Sequence, residues 1–148
     1  MELTTLDVED SVQPDVVGSV TALPFDDDAF AVAVCCEVLE HLPWDQAATA
    51  ARELRRVTTG RLVCSVPDVR YYAGLTAFAG IKILRKTLRL DIPRLLGRQL
   101  PPGSNHRWEV GRGRSAGEFR RLLQDAGWVI EHEFRDERNP YHRFYIGR

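Results

Sequence analysis

"FAVAVCCEVLEHLPWDQAATAARELRRVTTGRLVCSVP", Phe30 through Pro67, decides how this chain folds. FAVAVCC (Phe30–Cys36) is a continuous apolar run of strand length, the pattern of a strand covered on both faces. Ala47, Ala50, Ala51, Leu54 and Val57 then recur at three- and four-residue spacing, which predicts a helix with one apolar stripe. Pro43 suits its first turn, Asp45 its positive end and Arg55–Arg56 its negative end; Gly60 is expected to close it. RLVCSVP (Arg61–Pro67) is a second buried strand.

Further strands are predicted on either side. ELTTLD (Glu2–Asp7) and DVVGSV (Asp15–Val20) precede the opening stretch, the second behind the turn former Pro14. Ser115 and Glu118 stand at capping-box spacing, and Phe119, Leu122, Leu123 and Ala126 continue a helix that Gly127 stops. WVIEHEF (Trp128–Phe134) alternates as a half-exposed strand does, and YHRFYIG (Tyr141–Gly147) is the last. Strands interleaved with helices in this order indicate an α/β fold with a mostly parallel sheet. Ligands of such sheets bind beyond the carboxyl ends of the strands, where Asp7, Ser19–Val20, Cys36–Glu37 and Pro67–Asp68 collect.

At 148 residues the chain reads as a single domain, 1–148, with ordinary apolar and charged fractions. No signal peptide is evident, and the longest mostly apolar run, Tyr71–Leu84, is broken by Lys82 and too short for a bilayer. Cys35, Cys36 and Cys64 read as reduced thiols of a cytoplasmic protein, with Cys35 and Cys36 as small buried hydrophobes. Nothing matches paired C-x-x-C spacing, so no metal site is expected. Acids dominate up to Asp68, and bases dominate a helical or loop insertion at about 69–114. There Tyr71, Leu75, Phe78, Ile81, Leu84 and Leu88 form a stripe opposite Lys82, Arg85, Lys86 and Arg89. The bland reading is an amphipathic lid helix with solvated cations; the sharper one is a surface for an anionic acceptor or lipid headgroups. No nucleic-acid motif accompanies the charge.

With these pieces in place, the text resembles the class I S-adenosylmethionine-dependent methyltransferases of the small-molecule type. The matching runs are TTLD, GSVTALPF, FAVAV, EVLEHL, ELRRV and GRLVCSVP, between Glu2 and Asp68, and more loosely LLQDAGW (Leu122–Trp128). The resemblance implies a Rossmann-like sheet with an antiparallel C-terminal strand and S-adenosylmethionine as cofactor. It makes Asp7 the acceptor of the ribose hydroxyls, for which a carboxylate offers two acceptor oxygens. Ser19 and Val20 would border the adenine. Cys36 and Glu37 would lie beneath the methionyl part, and His41 would face a small-molecule methyl acceptor. Glu37 and His41 are the implied catalytic residues, the imidazole being suited to removing a proton near neutral pH. His106 and Trp108 are the implied acceptor-binding residues, with Tyr141 and His142 as weaker candidates.

The family's glycine-rich loop has no counterpart here, since Gly18 is the only glycine before Gly60. Ser19 and Ala31 each stand where the family usually has Asp. The text opens at what resembles the family's second strand, which implies an N-terminally truncated sheet with two facing edges between ELTTLD and FAVAV. Three outcomes follow: the edges re-pair, another copy or chain fills the slot by association, or the sequence starts inside a longer natural protein, which is the expectation. As alternatives to an enzyme, the chain reads as a non-catalytic binding protein, or as a peripheral membrane-surface protein using its basic segment.

Overall fold

The structure, a computed structural model, describes residues 2–70, 105–136 and 141–148, with the backbone of strands Tyr72–Ala77 and Lys86–Asp91. Four strands build the principal sheet in the order β3 (Phe30–Cys36), β4 (Thr58–Pro67), β10 (His142–Gly147), β9 (Ile130–Arg135). β3 and β4 run parallel, with Cys35 opposite Cys64, and the helix α1 (Trp44–Arg56) connects them. β10 is antiparallel to both β4 and β9. The opening stretch is therefore the strand–helix–strand unit its pattern predicts, and the expected antiparallel closing strand is present.

One apolar core lies under one face of this sheet. The α1 stripe of Ala47, Ala50, Ala51 and Leu54 is buried there with Phe119, Leu122 and Leu123 of α2 (Ala116–Asp125). Leu62, Cys64, Val66 and Tyr145 meet them from the sheet. The buried polar tips are satisfied: the Trp128 indole N–H donates to Ala51 O at 3.1 Å, and the Tyr145 hydroxyl to Ala116 O at 3.3 Å. Ser115 caps α2 in a reciprocal capping box with Glu118, as its spacing predicts, and Gly127 leaves it with φ +96°.

Three expectations are corrected. β3 is buried on one face only: Cys35 packs inward, whereas Val32 and Val34 are exposed among the described residues. Both helices serve the same side, and an unbroken apolar run does not distinguish one covered face from two. Gly60 does not close α1, which ends at Arg56; it lies inside β4, where a Cβ would collide with the Ala31 carbonyl oxygen. Nor does the expected lid helix span the basic segment. β5 (Tyr72–Ala77) and β6 (Lys86–Asp91) form an antiparallel pair, Tyr72 opposite Asp91 and Ala77 opposite Lys86. The stripe's Leu75 and Leu88 face one another in that ladder register, so strand pairing overrides the helical spacing. Tyr71, Phe78, Ile81, Lys82, Leu84 and Arg85, on which the membrane-surface reading rests, lie outside the described residues. Among the described residues no helix is long and apolar enough to cross a membrane.

Two smaller ladders complete the picture. β1 (Leu6–Asp7) pairs in parallel with β2 (Val16–Val17), and β7 (Glu109–Val110) with β8 (Gly113–Arg114). The two ladder pairs are separate from the principal sheet, and β1 is not hydrogen-bonded to β3. Between β1 and β3 lies a cleft of ≈ 400 Å³ walled by Leu6, Val20, Phe30, Val34 and Cys35 among others. The two facing edges expected from the sequence stand across this cleft.

Candidate functional site

Asp7 ends β1 beside β2, where the Gly18 N–H donates to Asp7 O at 2.8 Å and brings Ser19 next to it. The exposed Asp7 carboxylate accepts the Glu9 N–H on Oδ1 at 2.9 Å, a local turn bond that fixes its direction. Ser19 shares its hydroxyl with Thr21 at 2.8 Å, and Val20 lines the cleft. Cys36 is exposed at the carboxyl end of β3, while Cys35 and Cys64 are buried. The hydrogen bond with Cys35 and then burial raise the Cys64 thiol well above its ordinary range, which suits an inert packing role.

At Glu37 the chain leaves β3 with φ +57°, a left-handed conformation costing a non-glycine residue about 1 kcal/mol. Its side chain is held on two sides. The Ser65 hydroxyl donates to Oε1 at 2.8 Å, and His142 Nε2 lies 3.5 Å from Oε2. The turn leads into a single 3-10 turn, Leu39–His41, that buries Leu39 and Glu40 and leaves His41 at the rim with a side chain 43% exposed.

A distant loop packs onto this turn. The Arg107 N–H donates to Glu40 O at 2.7 Å, and the His106 ring meets His41 edge-on with centroids 4.8 Å apart. His106 Nδ1 lies 2.7 Å from Glu109 Oε1, and Arg112 pairs with the other Glu109 oxygen. Trp108 is buried: its indole N–H donates to Leu42 O at 3.1 Å, and its ring packs on Trp44 and Phe119. Its place is in the core behind His106, and it fixes the loop that presents that imidazole.

Glu37, His41, His106 and His142 are thus brought to one edge. Asp7 and Ser19 lie at the ends of the β1–β2 pair, and Val20 lines the cleft. Two residues without an assigned role in the sequence reading also stand here, Glu40 and Glu109. Glu40 is completely buried, and neither carboxylate oxygen accepts a hydrogen bond from the described residues. Burial, with the charges of Glu37 and Glu109, pushes its carboxyl up to about 8. A carboxylate directly before a histidine was the available signal for Glu40. The His106–Glu109 spacing was the signal for Glu109, but it falls in a loop where periodicity says nothing.

Residues 4–64 match the family described as "Methyltransferase domain". Solved structures of similar fold include the 1,6-didemethyltoxoflavin-N1-methyltransferase of Burkholderia thailandensis, bound to 1,6-didemethyltoxoflavin and S-adenosylhomocysteine. Its TM-score is 0.55 at 16% identity, over 90% of this chain and 49% of that one. An S-adenosylmethionine-dependent methyltransferase from Mesorhizobium loti gives 0.56 at 18% identity, over 97% and 78%. Magnesium protoporphyrin IX methyltransferase of Synechocystis PCC 6803, with bound S-adenosylhomocysteine, gives 0.50 at 15%, over 88% and 48%. The chain therefore spans about half the length of the first and third of these proteins. Among curated protein sequences none matches it. The fold is the one the resemblance to class I S-adenosylmethionine-dependent methyltransferases implied, and residues 4–64 match the model of a methyltransferase domain.

Proposed function

We propose that this chain takes part in S-adenosylmethionine-dependent methyl transfer to a small-molecule acceptor. The observation that supports the proposal is an apolar cleft inside the matched segment, lined by Leu6, Val20 and Cys35, whose chain neighbours are Asp7, Ser19 and Cys36. The residues fit the adenosine half of the cofactor. Asp7 offers carboxylate oxygens to a vicinal diol, and Val20 with the apolar cleft walls suits a flat heterocycle. Cys36, exposed at the end of β3, would border the methionyl half.

When bound, the cofactor supplies an electrophilic methyl group on a sulfonium. The protein's part is then positioning and proton management. Glu37, anchored by Ser65 and facing His142, is a fixed negative charge at the strand end. His41, half exposed on the rim, is placed to take a proton from an acceptor oxygen or nitrogen. His106, backed by Trp108, faces the same space and would orient the acceptor.

Calorimetric titration with S-adenosylhomocysteine tests this. We expect saturable one-to-one binding, weakened at least tenfold in Asp7→Ala. Absence of binding at millimolar ligand would remove the reading.

A further inference from the structure

We infer that Glu40, His41 and His106 form a binding site for a divalent first-row transition ion. One ligand atom from each lies within 4.8 Å of the others. His41 Nε2 and His106 Nε2 are each 3.9 Å from the same Glu40 oxygen, Oε1. Ligands at ~2.0–2.2 Å from a tetrahedral ion sit roughly 3.3–3.5 Å apart, so small rotamer adjustments close the triangle.

Three independent features favour a cation at this point. First, Glu40 is fully buried with both oxygens unpartnered among the described residues. Leaving a buried acceptor unsatisfied costs ~1–3 kcal/mol, and among the described residues the ion-pair partners within 4 Å of Glu40 are the two imidazoles. Second, His106 is oriented as metal-bound imidazoles are. Its Nδ1 is engaged by the Glu109 carboxylate at 2.7 Å, itself paired with Arg112, so Nε2 is the nitrogen turned toward Glu40. A carboxylate behind an imidazole fixes its tautomer and raises its basicity toward an ion. Third, the backbone clamps the two halves: Arg107 N–H to Glu40 O at 2.7 Å joins the His106 loop to the turn after β3.

Two imidazoles and one carboxylate suit zinc, iron, manganese or cobalt better than magnesium or calcium, which prefer oxygen ligands throughout. The half-exposed His41 marks the solvent side, where the ion's remaining positions would be open to water or to an oxygen of a bound molecule. In sequence only the Glu40–His41 adjacency pointed here, because the third ligand comes from a loop more than sixty residues later. Metal uptake here is independent of whether the cofactor binds.

The test is a Co²⁺ titration of the untagged, metal-stripped full chain, followed by visible absorption. We expect one ion per chain with ligand-field bands, and at least a tenfold loss of affinity in both Glu40→Gln and His41→Ala. Glu40→Gln preserves shape and His41 is on the surface, so circular dichroism of both should stay that of the parent. Any of three results overturns the site: no saturable uptake at millimolar Co²⁺, uptake unchanged by both substitutions, or thiolate charge-transfer bands that place the ion on Cys36.

Discussion

Asp68 and Glu40 are carboxylates of nearly equal burial that follow neighbouring parallel strands, β4 and β3, in opposite surroundings. Asp68 sits among arginines: Arg143 Nε and Arg70 NH2 each lie 2.7 Å from Oδ2, and Arg135 Nε lies 3.6 Å away. Burial pushes the Asp68 carboxyl up, but hydrogen bonds from Arg70 and Arg143 outweigh it and hold the group below its usual range. Around Glu40, among the described residues, stand two imidazoles at 3.9 Å, and the charges that raise its carboxyl are further carboxylates, Glu37 and Glu109. Shielding from water alone therefore does not say what a buried acid is for. Where the protein supplies its own cations the acid holds elements together; where it does not, the acid is available to a ligand.

This contrast can be broken by substitution. Asp68→Asn would remove the buried negative charge on which Arg70, Arg135 and Arg143 converge, and should cost about 3–5 kcal/mol in urea denaturation. The pH dependence has a definite sign. A carboxyl depressed in the folded state contributes its stability above its unfolded value of ~3.9, and loses it as pH falls through the folded value. The wild type should therefore weaken below about pH 4, and Asp68→Asn should show a flatter acid limb. If Asp68→Asn unfolds at the wild-type midpoint, the arginine cluster is not structural.

Glu40→Met should move the other way. Measured in chelator, it should raise stability by about 1–3 kcal/mol, because it removes an unsatisfied buried acceptor and keeps the volume. A loss of stability would mean Glu40 has a structural partner. The smallest effect is expected from Glu109→Gln, which keeps the loop but weakens the support behind His106. Co²⁺ affinity should fall roughly tenfold with little change in folding.

Much of the fold was legible because its signals are local. The FAVAVCC run, the alanine stripe of α1 and the Ser115–Glu118 box each declare themselves within a few residues, and all three appear where predicted. Gly60 misled because a glycine after a helix usually signals an end, whereas here it admits the close approach of Ala31's carbonyl. The Tyr71–Leu88 stripe misled because its described members, Leu75 and Leu88, fit a helical spacing and a ladder register equally well. At the candidate site, Asp7, Glu37 and His41 were singled out through the resemblance, since strand ends carry its motifs. Glu40 and Glu109 were not, because their meaning depends on how a distant loop docks. Trp108 was named as an acceptor-binding residue, and its indole is committed to Leu42 and the aromatic core.

The most direct measurement of whether Glu40 is a ligand, and Asp68 a fastening, is an anomalous-difference map from crystals grown with Zn²⁺. A peak is predicted at ~2.0–2.2 Å from Glu40, His41 Nε2 and His106 Nε2, with none at Asp68. A map without that peak, in which a protein donor hydrogen-bonds Glu40, would contradict the account.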